Sequence, residues 1–136
     1  MSQVTLLAAD HPLPLWDSGA RRTVTGTSHG CTVQVETQGF GVEENSYYRE
    51  AVEDLALPLK SFSYQLNLEP TAWDLFCLRE YLSKFCIPGE QVELWNLWVG
   101  GEGFRVRRFS GSFKDFDQEV LKQLFETYQT CIIITI

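Results

Sequence analysis

The sequence predicts an α+β fold in one domain covering residues 1–136, and three observations carry that prediction. The chain has 136 residues, 44% of them hydrophobic, which is enough for one well-buried core and too few for two. Apolar residues recur with period two in some stretches and with a period of about 3.6 in others, so strands and helices both occur. From residue 61 onward the elements read β-α-β-β-α-β, preceded by a hairpin and a helix. The sheet is expected to be mixed or antiparallel, because hairpin links and helical crossovers alternate.

Thr5–Ala9 reads as a short first strand. His11-Pro12-Leu13-Pro14-Leu15 is an extended connector, since two prolines remove donors and fix φ, with Trp16 expected to tuck onto the core. Arg22–Thr27 and Cys31–Thr37 alternate around Ser28-His29-Gly30, the pattern of a β-hairpin. Asn45 or Ser46 is placed to cap a helix over Tyr47–Leu57, with Glu50 near the capping-box position and Pro58 as the stop. Ser61–Leu68 alternates as a strand with Phe62, Tyr64, Leu66 and Leu68 on one face.

Thr71 caps the strongest helix, with Asp74 at the positive end of its dipole. Trp73, Phe76, Cys77, Tyr81, Leu82 and Phe85 form its apolar stripe, and Ile87-Pro88-Gly89 ends it. Gln91–Val99 is apolar on both faces apart from Asn96 and is expected to be covered on two sides. Gly100-Gly101-Glu102-Gly103 turns into a strand over Phe104–Phe109. Asp117 caps a helix to about Tyr128, buried through Val120, Leu121, Leu124, Phe125 and Tyr128, and Cys131–Ile136 is a buried β-branched strand. This order is that of a ferredoxin-like split βαβ unit. The N-terminal hairpin and helix either extend its sheet or cover its other face.

Eleven Lys and Arg against 18 Asp and Glu give a net charge of −7. That balance argues against general nucleic-acid binding, where cations must neutralise phosphates. It serves solubility, or complementarity to a basic partner. Acids concentrate in one window, with Glu36, Glu43, Glu44, Glu50, Glu53 and Asp54 against the single base Arg49, while Arg21, Arg22, Arg105, Arg107 and Arg108 lie elsewhere. No apolar run approaches the ~20 residues of a membrane span. Met1-Ser2-Gln3-Val4 has no leader character. Cys31, Cys77, Cys86 and Cys131 form no C-x-x-C pair, so free buried thiols are expected rather than a metal site or a disulfide. Together these features favour the cytoplasm, with no cofactor.

No sequence motif of catalysis is present. His11 and His29 fall in expected loops without a nucleophile pattern. The glycines at 100–103 join two strands, whereas a phosphate loop opens a helix. Trp95 and Trp98 fall on opposite faces of one strand, and Asn96, if buried, needs a hydrogen-bond partner. Tyr47-Tyr48, set among Glu43, Glu44, Glu50, Glu53 and Asp54, is the candidate partner-binding surface, since tyrosine beside carboxylates is common at protein interfaces.

Leu68-Glu69-Pro70-Thr71-Ala72-Trp73-Asp74-Leu75, Leu78-Arg79-Glu80-Tyr81-Leu82 and Gln91-Val92-Glu93-Leu94-Trp95-Asn96-Leu97-Trp98-Val99-Gly100 are similar in style to the small bacterial immunity proteins of contact-dependent growth inhibition and other polymorphic toxin systems. The similarity covers roughly residues 60–110, and its most specific part is E-L-W-x-x-W-x-G. The resemblance implies a cytoplasmic, non-enzymatic protein that binds and blocks one cognate toxin domain, and acidity suits a basic nuclease as that toxin. It assigns no binding residue. Two other readings remain open: a small-molecule-binding or regulatory ferredoxin-like domain, and a hydrolase or transferase whose site gathers His11, His29 and Glu93.

Overall fold

The computed structural model describes residues 2–19, 21–100 and 105–136. The fold is α+β, built on one seven-stranded mixed sheet with a separate two-stranded ribbon. Its strands are β1 (Ser2–Ala9), β2 (Trp16–Asp17), β3 (Arg21–Ser28), β4 (Cys31–Gln38), β5 (Gly41–Glu44), β6 (Phe62–Asn67), β7 (Gln91–Val99), β8 (Arg107–Ser112) and β9 (Thr130–Thr135). Its helices are α1 (Arg49–Glu53), α2 (Ala72–Phe85) and α3 (Gln118–Glu126). The main sheet runs β2-β5-β6-β1-β7-β9-β8, and only the β8–β9 pair is parallel.

The expected element order from residue 61 is present, but the strands do not interleave in the ferredoxin-like way. In that topology the slot between the first two strands of the unit is filled by the third. Here β1 fills the slot between β6 and β7, antiparallel to both. Its residues from Val4 to Ala9 are buried on both faces, so the centre of the sheet is where it removes most apolar surface from water. The β8–α3–β9 unit then closes beyond β7, with β9 inside and β8 at the edge.

Two clusters sandwich the sheet. On one face α2 and α3 bury Leu78, Tyr81, Leu82, Leu121 and Leu124 against Leu7, Phe40, Leu66, Leu94 and Ile132. On the other face Val52 of α1, with Leu55, Leu57 and Leu59 after it, covers Leu6, Trp95 and Leu97. Both β7 and β9 are covered on two sides, as their composition predicts. Asn96 is fully buried and satisfied: it donates to the carbonyls of Leu124 and Thr127 and accepts from Gln3. It thereby ties the end of α3 to the sheet.

Thr71 and Asp117 cap α2 and α3, accepting from the N–H groups of Asp74 and Val120. The buried line of α2 differs from the expected stripe. It runs through Asp74, Leu78, Tyr81 and Leu82, while Trp73 and Phe76 are more than half exposed. Asp74 sets this rotation, because it accepts from the N–H of Glu69 and pairs with the guanidinium of Arg22. Tyr128 is likewise exposed, lying against Trp98 with ring centroids 4.5 Å apart. The helix expected over Tyr47–Leu57 shrinks to Arg49–Glu53. Its proposed cap Asn45 instead donates to Ser63 Oγ, and Ala56 adopts φ 54°, which ends the helical path before Pro58. The strand expected at Phe104–Phe109 lies at Arg107–Ser112, and the turn expected at 100–103 falls, from residue 101 on, outside the described residues.

The hairpin forms as expected, joined by His29 (φ 52°) and Gly30 (φ 76°), the two left-handed positions of a type I′ turn. It leaves the main sheet at β2 and β5, which pair with each other, and projects as an arm whose residues are almost all exposed. Cross-strand pairing puts Val24, Val33 and Val35 on one face of the arm with Arg22. Arg22 anchors the root through Glu69, Asp74 and the carbonyl of Gln38.

Candidate functional site

A groove of about 700 Å³ opens between α1 and the start of β6. Its floor is apolar, from Val52, Leu57, Leu59 and Phe62, and its rim carries Glu44, Asn45, Arg49 and Glu53. The groove exists because Ala56 turns the chain back, so that Leu57 and Leu59 lie on the sheet beside β6 rather than continuing α1.

Of the residues singled out in the sequence, Glu44 and Glu53 line this groove. Glu53 accepts from Arg49 Nε at 3.3 Å, an exposed i,i+4 pair of little energetic weight. Tyr47 stands 84% exposed on the flank, held edge-on to Tyr48 at 4.7 Å. Tyr48 itself packs inward on the second cluster. Glu50 and Asp54 are exposed on α1 and at its end. Glu43 faces away from Glu44 by strand alternation and accepts from Asn67 Nδ2 at 3.1 Å. The structure thus places Glu44 and Glu53 on the groove, leaves Tyr47, Glu50 and Asp54 exposed outside its lining, and turns Glu43 and Tyr48 inward or away.

Sequence reasoning missed two rim residues, Arg49 and Asn45. Asn45 lines the groove with its Nδ2 committed to Ser63, while its buried Oδ1 has no hydrogen-bond partner among the described residues. A buried acceptor without a donor is uncommon and invites one. No pattern in the sequence marks this, because it arises from the local path of residues 44–46.

A second groove, about 560 Å³, runs along the outer side of α2. Trp73 and Phe76 stack there with centroids 5.6 Å apart, and Trp16 packs edge-on to Phe85 at its other end. Trp16 is therefore half-exposed in a groove wall and not tucked into the core.

His11, His29 and Glu93 do not gather. His29 is at the arm tip, and Glu93 is buried under the N–H of Lys60 and the indole of Trp95. His11 meets Glu90 instead. Arg107 donates to Thr127, and Arg108 lies over Trp95. All four cysteines are free; Cys86 and Cys131 are buried, whereas Cys31 is exposed near the arm tip. Burial pushes the thiols of Cys86 and Cys131 up to about 12. Among the described residues no helix is long and apolar enough to cross a membrane. Comparisons with protein-family models, curated proteins and solved structures gave no match.

Proposed function

We propose that this protein is a binding inhibitor of the immunity type, which captures a basic protein, in the first instance a nuclease toxin domain, through the groove beside α1. The lining of the groove carries this reading, since it sets two carboxylates beside partly exposed apolar side chains. Glu44 and Glu53 beside the apolar Leu57 and Leu59 suit the head of an arginine or lysine whose aliphatic stem lies along the leucines. Tyr47 supplies the exposed aromatic anchor that interface energetics favour. The net charge of −7 steers a basic partner towards it.

The test begins with capture from the native host at low and high salt, alongside the product of any adjacent toxin gene. The expected result is one basic partner, released more readily at high salt. With that partner in hand, Glu44→Lys and Glu53→Lys slow association, and Tyr47→Ala weakens binding by about tenfold or more, on the scale of 1–2 kcal/mol for an anchor residue. Binding unchanged by all three substitutions overturns the groove as the interface. If no partner is captured at either salt, a thermal-shift screen of small molecules follows, because the groove volume also lies in the range of metabolite pockets.

A further inference from the structure

At the C-terminal end of α2 three side chains with three different donor atoms converge. His11 comes from the β1–β2 connector, Cys86 from the C-cap of α2 and Glu90 from the residue before β7. The imidazole nitrogen, the thiol sulfur and a carboxylate oxygen all lie within 4.8 Å of one another. We propose that they form a binding site for a zinc-class divalent ion.

Each ligand is already held. His11 Nδ1 lies 3.0 Å from the carbonyl of Pro12, so Nδ1 carries the proton in the neutral ring and Nε2 turns its lone pair to the cluster. This is the outer-shell contact that metal-ligating histidines usually make. The connector bearing His11 is pinned by Leu13 N–H on Tyr64 and by Tyr81 Oη on the carbonyl of Pro14. Glu90 accepts from the N–H of Ile87 through Oε1, which leaves Oε2 2.7 Å from His11 Nε2. The backbone around Glu90 is clamped to the end of the last strand by two hydrogen bonds with Ile136.

Without a metal the 2.7 Å contact between Nε2 and Oε2 is closed by a proton on Nε2, and an incoming divalent ion displaces that proton to solvent as it takes both lone pairs. Ligand atoms around tetrahedral zinc stand about 3.3–3.7 Å apart. The cluster therefore accepts an ion after small side-chain rotations that part His11 from Glu90. Nitrogen, sulfur and oxygen donors together suit zinc better than magnesium or calcium. The thiol loses its proton to solvent as the metal–sulfur bond forms, and thiolate plus carboxylate then balance the doubly charged ion. His11, partly exposed, leaves the fourth position open to water or to a ligand from outside.

Spacing in the sequence argues against a metal because it compares cysteines only with near neighbours, whereas this set joins Cys86 and Glu90 to a distant histidine. The test uses the full-length protein, reduced and stripped with chelator, titrated with Co²⁺ and then Zn²⁺. The expected result is one equivalent of tetrahedral cobalt with a thiolate-to-metal charge-transfer band, displaced by zinc, and a melting temperature that rises with zinc. Cys86→Ser and His11→Ala each remove the band or weaken binding at least tenfold, while Cys31→Ser and Cys77→Ser leave it intact. Should Cys86→Ser fail to fold, His11→Ala decides alone, since that residue lies in a partly exposed connector. Octahedral cobalt without a thiolate band overturns the proposal. So does a band that survives His11→Ala with undiminished affinity, or one that disappears with Cys31→Ser.

Discussion

The arm of β3 and β4 and the central strands β1, β7 and β9 are all β-structure of similar length, yet they are held by different forces. The central strands are buried on both faces, between the α2–α3 layer and the α1 segment. The arm carries Val24, Val33 and Val35 at 43–56% exposure with no layer against them. A lone two-stranded hairpin is at best marginally stable in water. What keeps the arm in place is local: a type I′ turn at its tip and two arginines at its root, Arg22 on Glu69 and Asp74 and the more exposed Arg21 on Asp17. Burial therefore fixes the sheet, and turn geometry with ionic contacts at the root fixes the arm.

The sharpest way to break this contrast is a pair of truncations. Leu94→Ala, at a fully buried position of β7, is expected to cost about 2–5 kcal/mol in denaturant unfolding. Val35→Ala on the arm is expected to cost less than about 1 kcal/mol. Equal costs would mean that the arm's apolar face is covered in solution, and the cost would then depend on protein concentration.

Removal of the anchor ranks next. Arg22→Ala leaves Asp74 buried without its cation and is expected to cost about 2–3 kcal/mol, the low end for a broken buried pair because the N–H of Glu69 still donates. Amide exchange should quicken along β3 and β4 far more than along β7. Uniform acceleration across both would show that Arg22 supports the whole fold and not the arm in particular.

Near neutral pH the smallest expected effect is that of thiol ionisation, which enters only above pH 9. Burial raises the Cys131 thiol from 9.0 to about 12. Its neutral form is favoured in the fold, so its contribution is complete below pH 9 and is lost progressively as pH rises towards 12. Stability should decline over that window, and Cys131→Val should flatten the decline. In native protein a thiol reagent should modify exposed Cys31 first, while Cys131 reacts only on unfolding.

Features governed by near neighbours were legible in the sequence. The arm followed from alternation around His29-Gly30, the starts of α2 and α3 from Thr71 and Asp117, and the double covering of β7 and β9 from their uniform apolarity. Features set by distant partners were not. The place of β1 depends on pairing with both β6 and β7. The rotation of α2 depends on Arg22 reaching Asp74 from the arm, and both possible stripes have helical spacing. The groove was half legible: its acids and Tyr47 stood out, but its floor required the reversal at Ala56. The meeting of His11 with Cys86 and Glu90 had no local signal.

The central position of β1 also bears on how the chain is made. Ser2–Ala8 pairs with Glu93–Val99, so the middle of the sheet joins an early segment to a late one. At roughly 5–20 residues per second, β1 waits on the order of ten seconds for β7 to leave the ribosome. The arm, whose strands adjoin in sequence, closes in microseconds once synthesised. During that interval the Leu6-Leu7-Ala8-Ala9 segment lacks the β7 partner that buries it in the fold, so its apolar surface stays uncovered until the second half arrives.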